Sequence, residues 1–199
     1  MNFVTISSCK KLMNKINIID SYKAHKVIVP KNMMSWMRSN HAGETGAVWI
    51  YIGARCVFWN KSIRDMSTDH YKTEKNHLIV MKYLVPKMKR SKLLILWRIL
   101  GFFIGLISAL LGFKFFCSAI EAIETFVEKH YQEQIEFLYD RSASYDLLQV
   151  LQICCNEEVD HQMEALKAKG SSAQNNYEKM WSYVIGKGSS LAVNISRII

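Results

Sequence analysis

The chain predicts an all-α fold, a four-helix bundle with additional helices outside it. Three observations carry that expectation. Only two prolines and nine glycines interrupt 199 residues, half of them hydrophobic, so long stretches run without a turn signal. Glu-x-x-His occurs twice, as Glu74-Lys75-Asn76-His77 and Glu158-Val159-Asp160-His161, and residues three apart share one face of a helix. A single glutamate precedes each pair, Glu44 by 30 residues and Glu124 by 34. Two lone glutamates and two such pairs are the side chains with which a helical bundle holds two iron or manganese ions.

The elements follow in order. Residues 1–31 are basic and weakly periodic, with Lys10, Lys11, Lys15, Lys23 and Lys26, and form an N-terminal extension to a domain spanning 32–199. Pro30 closes the extension, and Asn32 is a candidate N-cap. A first helix is expected from Met33 to Trp59 and a second from Asp69 to Val85, stopped by Pro86. A third covers Leu93 to Phe113, a fourth Lys114 to Tyr139, and a fifth Ser144 to Lys169, ended by Gly170. A sixth, weakened by Gly186 and Gly188, runs from Tyr177 to Ile199. Each half of the chain supplies a lone carboxylate on one helix and a Glu-x-x-His on the next. This is an architectural repeat without shared sequence.

The net charge of +9 suits nucleic acid, an anionic membrane surface or plain solubility. The five cysteines (Cys9, Cys56, Cys117, Cys154 and Cys155) form no Cys-x-x-Cys and no disulfide framework, and read as buried thiols in a reducing compartment. No apolar run in the first 30 residues is long enough for a secretory signal, so a cytosol-facing location is expected.

The stretch 93–113 is the greasiest in the chain. Its uncharged part, 99–113, has 15 residues, short of the roughly 20 that span a bilayer. Lys82, Lys87, Lys89, Arg90 and Lys92 precede it with no acid among them. Cations beside an apolar helix suit an element lying in the headgroup region of an anionic membrane; a buried core helix and a true span are the alternatives. Charging the apolar face, at Phe102 for example, is expected to release the protein from membranes.

Carboxylates and imidazoles suit iron and manganese, because hard oxygen ligands hold the oxidised ion. By analogy within that site class, Glu74 and Glu158 bridge the ions, Glu44 and Glu124 are terminal, and His77 and His161 each bind one. The spacing leaves some choices open. Glu121, Glu124 and Glu128 all lie near one face, and Glu157 adjoins Glu158 but lacks its spacing to His161. Asp160 is either a partner of the site or merely solvated. His41, one turn before Glu44, is either a hydrogen-bond donor to the site or a packing histidine.

Beyond spacing, Asn40-His41-Ala42-Gly43-Glu44-Thr45-Gly46-Ala47 resembles the signature of the demethoxyubiquinone hydroxylases, the ferritin-like di-iron monooxygenases of ubiquinone biosynthesis. Glu74 to Leu78, Glu124 with His130-Tyr131, and Glu158 to His161 resemble that family's other three motifs. The segment 97–111, with Gly101, Gly105 and Gly112, resembles its membrane-contacting helix. The resemblance covers about residues 32–199 and selects Glu124 in the fourth helix. The basic extension and the cationic 82–92 segment depart from the family pattern without touching the candidate ligands.

The resemblance implies a ferritin-like bundle, two Fe ions per subunit, and hydroxylation of the ring of a demethoxy, polyprenylated benzoquinol by O2. It implies as catalytic residues the six candidate ligands and Tyr131, which would hydrogen-bond near the metals, relay an electron or simply pack in the core. It implies a peripheral protein on the cytoplasmic face of the cell (inner) membrane, with other ubiquinone-biosynthesis proteins as partners and no nucleic acid. The chain shows no Gly-rich dinucleotide fingerprint and no iron–sulfur cysteine cluster. Electrons are therefore expected from the quinol itself or from NADH acting through the quinone. The rival readings are an iron-storage protein, a tRNA-modifying di-iron hydroxylase, and a non-enzymatic membrane-surface scaffold.

Overall fold

The computed structural model describes residues 27–139, 144–170 and 174–199. Among them six α-helices follow one another: α1 (Met34–Ala54), α2 (Lys61–Leu84), α3 (Leu94–Leu110), α4 (Phe113–Tyr139), α5 (Tyr145–Lys169) and α6 (Asn176–Ile198). The all-α expectation holds. Cys9 and residues 1–26 of the expected extension lie outside the described residues, while Val27 and Val29 pack on the core.

Two boundaries differ from the sequence expectation by five residues or more, and α3 ends three residues early, at Leu110. The first helix ends five residues early, because Cys56 and Val57 donate back three residues instead of four and carry the buried Val57 into the core. The second begins eight residues early, because the Asn60 side chain accepts from the Ile63 amide and caps it. Asn32 is not a cap; it lies inside a 3-10 turn, Lys31–Met33, that leads into α1. Gly170 ends α5 at φ +77°, as its lack of a Cβ permits. Asn175 and Glu178 cap α6 reciprocally.

Contacts between the helices give the topology. Asn40 meets Gln134 and Tyr51 meets Glu124, so α1 and α4 are antiparallel. Tyr51 also meets His70 while Glu44 lies near His77, which sets α2 antiparallel to α1; Gln162 on Thr125 and Lys169 on Glu121 set α5 antiparallel to α4. Thus α2 and α4 run the same way and need a long crossover between them. That crossover is α3, which lies parallel to α1 outside the four-helix core. One long crossover of this kind is the connectivity of ferritin-like bundles.

Two apolar clusters fill the bundle, one around Met37, Met81, Leu138 and Leu151, the other around Ile63, Phe116, Ile120 and Ala165. Cys117, Cys154 and Cys155 are buried as expected, and Cys56 is exposed.

Helix α3 inverts the usual pattern of a helix in water. It turns glycines inward: a Cβ on Gly101 would lie 2.4 Å from the Gly46 carbonyl oxygen, and one on Gly105 1.8 Å from that of Ile50. Its outward stripe is large and apolar, with Ile95, Ile99, Leu100, Phe103, Ile107 and Leu110 all 40% or more exposed. This rules out the fully buried core helix. At 17 residues α3 is about 25 Å long, and among the described residues no helix is long and apolar enough to cross a membrane. Phe102 is half-buried and sets its ring against Trp49, so the outward residue is its neighbour Phe103.

Candidate metal centre

The six candidate ligands come from the four core helices and meet between the two apolar clusters. Periodicity explains the convergence. Glu44 and Tyr51, seven apart on α1, lie on one face, as do His70, Glu74 and His77 on α2. All six ligand residues are buried, none more than 6% exposed.

They form two sets of four. Glu44, Glu74, His77 and Glu158 offer ligand atoms that all lie within 4.8 Å of one another, and so do Glu74, Glu124, Glu158 and His161. Glu74 and Glu158 belong to both sets, as bridging carboxylates must. His77 Nδ1 is 2.9 Å from Glu158 and 3.7 Å from Glu44, while His161 Nδ1 is 3.2 Å from Glu74 and 3.3 Å from Glu158. Both oxygens of Glu74, Oε2 of Glu158 and Nδ1 of His161 are buried without a hydrogen bond. Buried acceptors left this way are costly, and a cation between them would satisfy all four. The charge fits as well, since four carboxylates neutralise two divalent ions.

Without such ions the cluster must hold protons. Burial and the neighbouring charges of Glu158 and Glu44 push Glu74 up to about 8, although His161 pulls the other way. Burial, Glu158 and Glu74 raise Glu124 well above the ordinary carboxylate range. Burial would raise Glu158 too, but His77 and His161 outweigh it and hold that carboxyl low. Burial would lower both histidines; the thiol and acids around His77, and the acids around His161, keep them well above the ordinary imidazole value.

Around the ligands the structure sorts the remaining candidates. The Tyr131 hydroxyl donates to Glu44 at 2.5 Å, while the adjacent His130 belongs to a separate buried network with Ser39, Asn40 and Gln134. Glu121 pairs with Lys169 and Glu128 accepts from Gln132, which leaves Glu124 as the acid of that helix in the cluster. His41 makes no hydrogen bond with either ring nitrogen. Burial, with the cations Arg90, Lys82 and Arg98 nearby, lowers it to about 4. Its packing alternative therefore stands, and donation to the site does not. Asp160 is exposed beside His161.

Sequence reasoning missed three residues, Tyr51, His70 and Glu164, and set aside a fourth, Glu157. Glu157 accepts from His77 Nε2 at 2.6 Å, the outer bond that fixes the orientation of a ligating imidazole. Tyr51, His70 and Glu164 continue outward from Glu124. The spacing of Tyr51 seven after Glu44 and of His70 four before Glu74 was the available signal.

A four-helix core with one long crossover, enclosing two carboxylate–imidazole sets that share two glutamates and could hold metal, places the chain in the class of ferritin-like helical bundles. Within it the family is also fixed: the model of ubiquinone biosynthesis protein COQ7 matches residues 31–196, and the chain belongs to that family. Among curated proteins it is similar to the mitochondrial NADPH-dependent 3-demethoxyubiquinone 3-hydroxylase of Rattus norvegicus, 33% identical over 129 residues, which cover 63% of this chain and 59% of that protein. The Dictyostelium discoideum protein of the same name is 27% identical over 76% of this chain and 80% of its own length. The 3-demethoxyubiquinol 3-hydroxylase of Rhodospirillum rubrum is 33% identical over 53% and 51%. The chain thus spans about three fifths of the rat relative and about half of the bacterial one.

Proposed function

We propose that this protein is a di-iron monooxygenase that hydroxylates the ring of a demethoxy, polyprenylated benzoquinol with O2, in ubiquinone biosynthesis. The observation that carries the proposal is the pair of four-ligand sets sharing Glu74 and Glu158. Family membership supports the reaction class, and the relatives' names supply the substrate.

Two iron ions held by Glu44, Glu74, His77, Glu124, Glu158 and His161 would supply the activation of O2. The protein's own residues do the rest. Tyr131 holds the Glu44 carboxylate by its hydroxyl, and Glu157 holds His77 with Nδ1 facing inward. The apolar clusters shield the two ends of the centre from bulk water. The reductant proposed is the quinol itself or a reduced nicotinamide acting with the quinone; the rat relative is named as NADPH-dependent.

The outward stripe of α3 and the exposed Lys82, Lys87 and Lys89 before it support attachment to the surface of an inner membrane, with the stripe in the acyl boundary and the cations at anionic headgroups. There a prenylated substrate reaches the bundle without leaving lipid. The test is aerobic turnover of a short-tailed demethoxyquinol by iron-loaded protein, with and without NADPH, followed by mass analysis. Gain of one oxygen atom is expected. An unmodified quinol, with two irons bound per chain and reductant present, sinks the proposal.

A further inference from the structure

His41 is 1% exposed, and neither of its ring nitrogens has a hydrogen-bond partner among the described residues. Burying one unpaired polar nitrogen costs free energy, and this ring buries two. Trp97, 8% exposed, adds a third, its indole Nε1. The two residues stand at one level of the bundle. Gly101 of α3 meets Gly46 of the parallel α1, so Trp97, one turn earlier, lies beside Ala42. That level is one turn beyond the metal centre. Tyr51 meets His70 and Glu44 lies near His77, so equal steps along the antiparallel α1 and α2 put His41 opposite Val80. Past it come Lys82, the 85–93 connection and the start of α3, the end of the molecule proposed above to meet lipid.

We propose that His41 holds the ring of the substrate, a ring oxygen of the quinol being the hydrogen-bond partner that the imidazole lacks within the protein. The proposal rests on the hydroxylase reading, which supplies that substrate. The chemistry of the two groups matches. Burial, with Arg90, Lys82 and Arg98 nearby, keeps His41 neutral at pH 7, so one nitrogen donates and the other accepts. A quinol hydroxyl can answer either nitrogen, and a quinone carbonyl can answer the donor. The position matches as well. Three residues of helix rise about 4.5 Å, close to the span of one ring, so a ring held at His41 reaches the level of Glu44.

The polar groups next to His41 are already committed. Asn40 is spent on Gln134 and His130, and Thr45 Oγ1 donates to the backbone carbonyl of His41, not to its ring. Arg90 donates to the carbonyls of Val85 and Lys82, and Arg38 to that of Lys89, which ties down the connection at this end. His41 is closed from solvent, so a ring arriving from lipid reaches it when this connection gives way. The 3-10 turn Lys87–Lys89 buries none of its residues, so it yields at less cost than the packed helices on either side.

The experiment measures binding of two probes to full-length, iron-loaded protein without O2. One is a short-tailed demethoxyquinone, followed by quenching of tryptophan fluorescence. The other carries the same tail on a benzene ring without ring oxygen, followed by displacement of the quinone. Wild type is compared with His41→Leu, which keeps an apolar side chain of similar size, and His41→Gln, which keeps a donor and an acceptor. The quinone should bind about tenfold more weakly to His41→Leu and within about threefold of wild type to His41→Gln. The oxygen-free probe should bind wild type and His41→Leu equally, whereas a merely structural loss would weaken both probes. Should a thermal melt show His41→Leu unfolded, His41→Phe, a ring without nitrogen, takes its place. Equal quinone affinity in wild type and His41→Leu overturns the proposal and leaves His41 a packed ring. An equal loss for both probes, a loss that His41→Gln shares in full, or no quinone binding by wild type overturns it too. If wild type binds the quinone yet hydroxylates no quinol, the functional reading fails while the affinities still decide the role of His41.

Discussion

Replacing Phe103 by aspartate should detach the protein from membranes while leaving its fold intact. Phe103 is 51% exposed on the outer stripe of α3. A phenylalanine offers about 200 Å² in all, so about 100 Å² is free to be covered by lipid. At roughly 25 cal/mol per Å² that contact is worth about 2.5 kcal/mol. Since about 1.4 kcal/mol is tenfold in affinity, losing it weakens binding about 60-fold, and an anion facing anionic headgroups adds to the loss. The neighbouring Phe102 does not make this test. Its ring packs on Trp49, and its carbonyl lies 2.0 Å from where a Cβ on Gly53 would be, so a charge there disturbs the α1–α3 contact itself. The assay is co-sedimentation with vesicles containing anionic lipid, with a thermal melt of each protein as control. Equal pelleting of wild type and Phe103→Asp, at equal melting temperature, would refute lipid contact by α3.

Other perturbations probe the remaining parts of the account. Glu124→Ala or His161→Ala removes a member of one four-ligand set, and metal analysis should show iron falling from two per chain to one or fewer. Gly105→Ala places a methyl 1.8 Å from a backbone oxygen of α1 and should force the two helices apart. A cost of about 2–3 kcal/mol is expected, read as a melting temperature lower by roughly 5–10 °C. Acid should destabilise the protein through His41 and His130, both lowered to about 4, chiefly by burial. The unfolded chain binds their protons near 6.5 and the folded one does not, so their stabilisation is complete above about 6.5 and lost as pH falls toward 4. Each contributes up to about 1.4 kcal/mol per pH unit in that window. Denaturant melts from pH 7 to 4.5 should show a shallower acid limb in His41→Gln; an unchanged limb would mean that His41 is not held neutral.

What the sequence determined was periodic. The Glu-x-x-His pairs, the lone glutamates and the long breaker-free runs are local patterns, and helical geometry converts them directly into faces. That is why the helices, the six candidate ligands and the greasy crossover were legible before any coordinates. Helix ends were less so: the Asn60 cap starts α2 at Lys61, eight residues ahead of the expected Asp69, and burial of Val57 cuts α1 short. Only the tertiary structure decided which polar side chains face one another across helices. It made Glu157 a partner of His77, a pairing its spacing did not suggest, and left both ring nitrogens of His41 without a hydrogen bond, where the sequence left donation and packing open. It also joined Tyr51, His70 and Glu164 on three different helices. Pairings of that kind depend on the register and rotation of one helix against another. Those are set by close packing, such as Gly101 and Gly105 against the backbone of α1, which no single helix's sequence encodes.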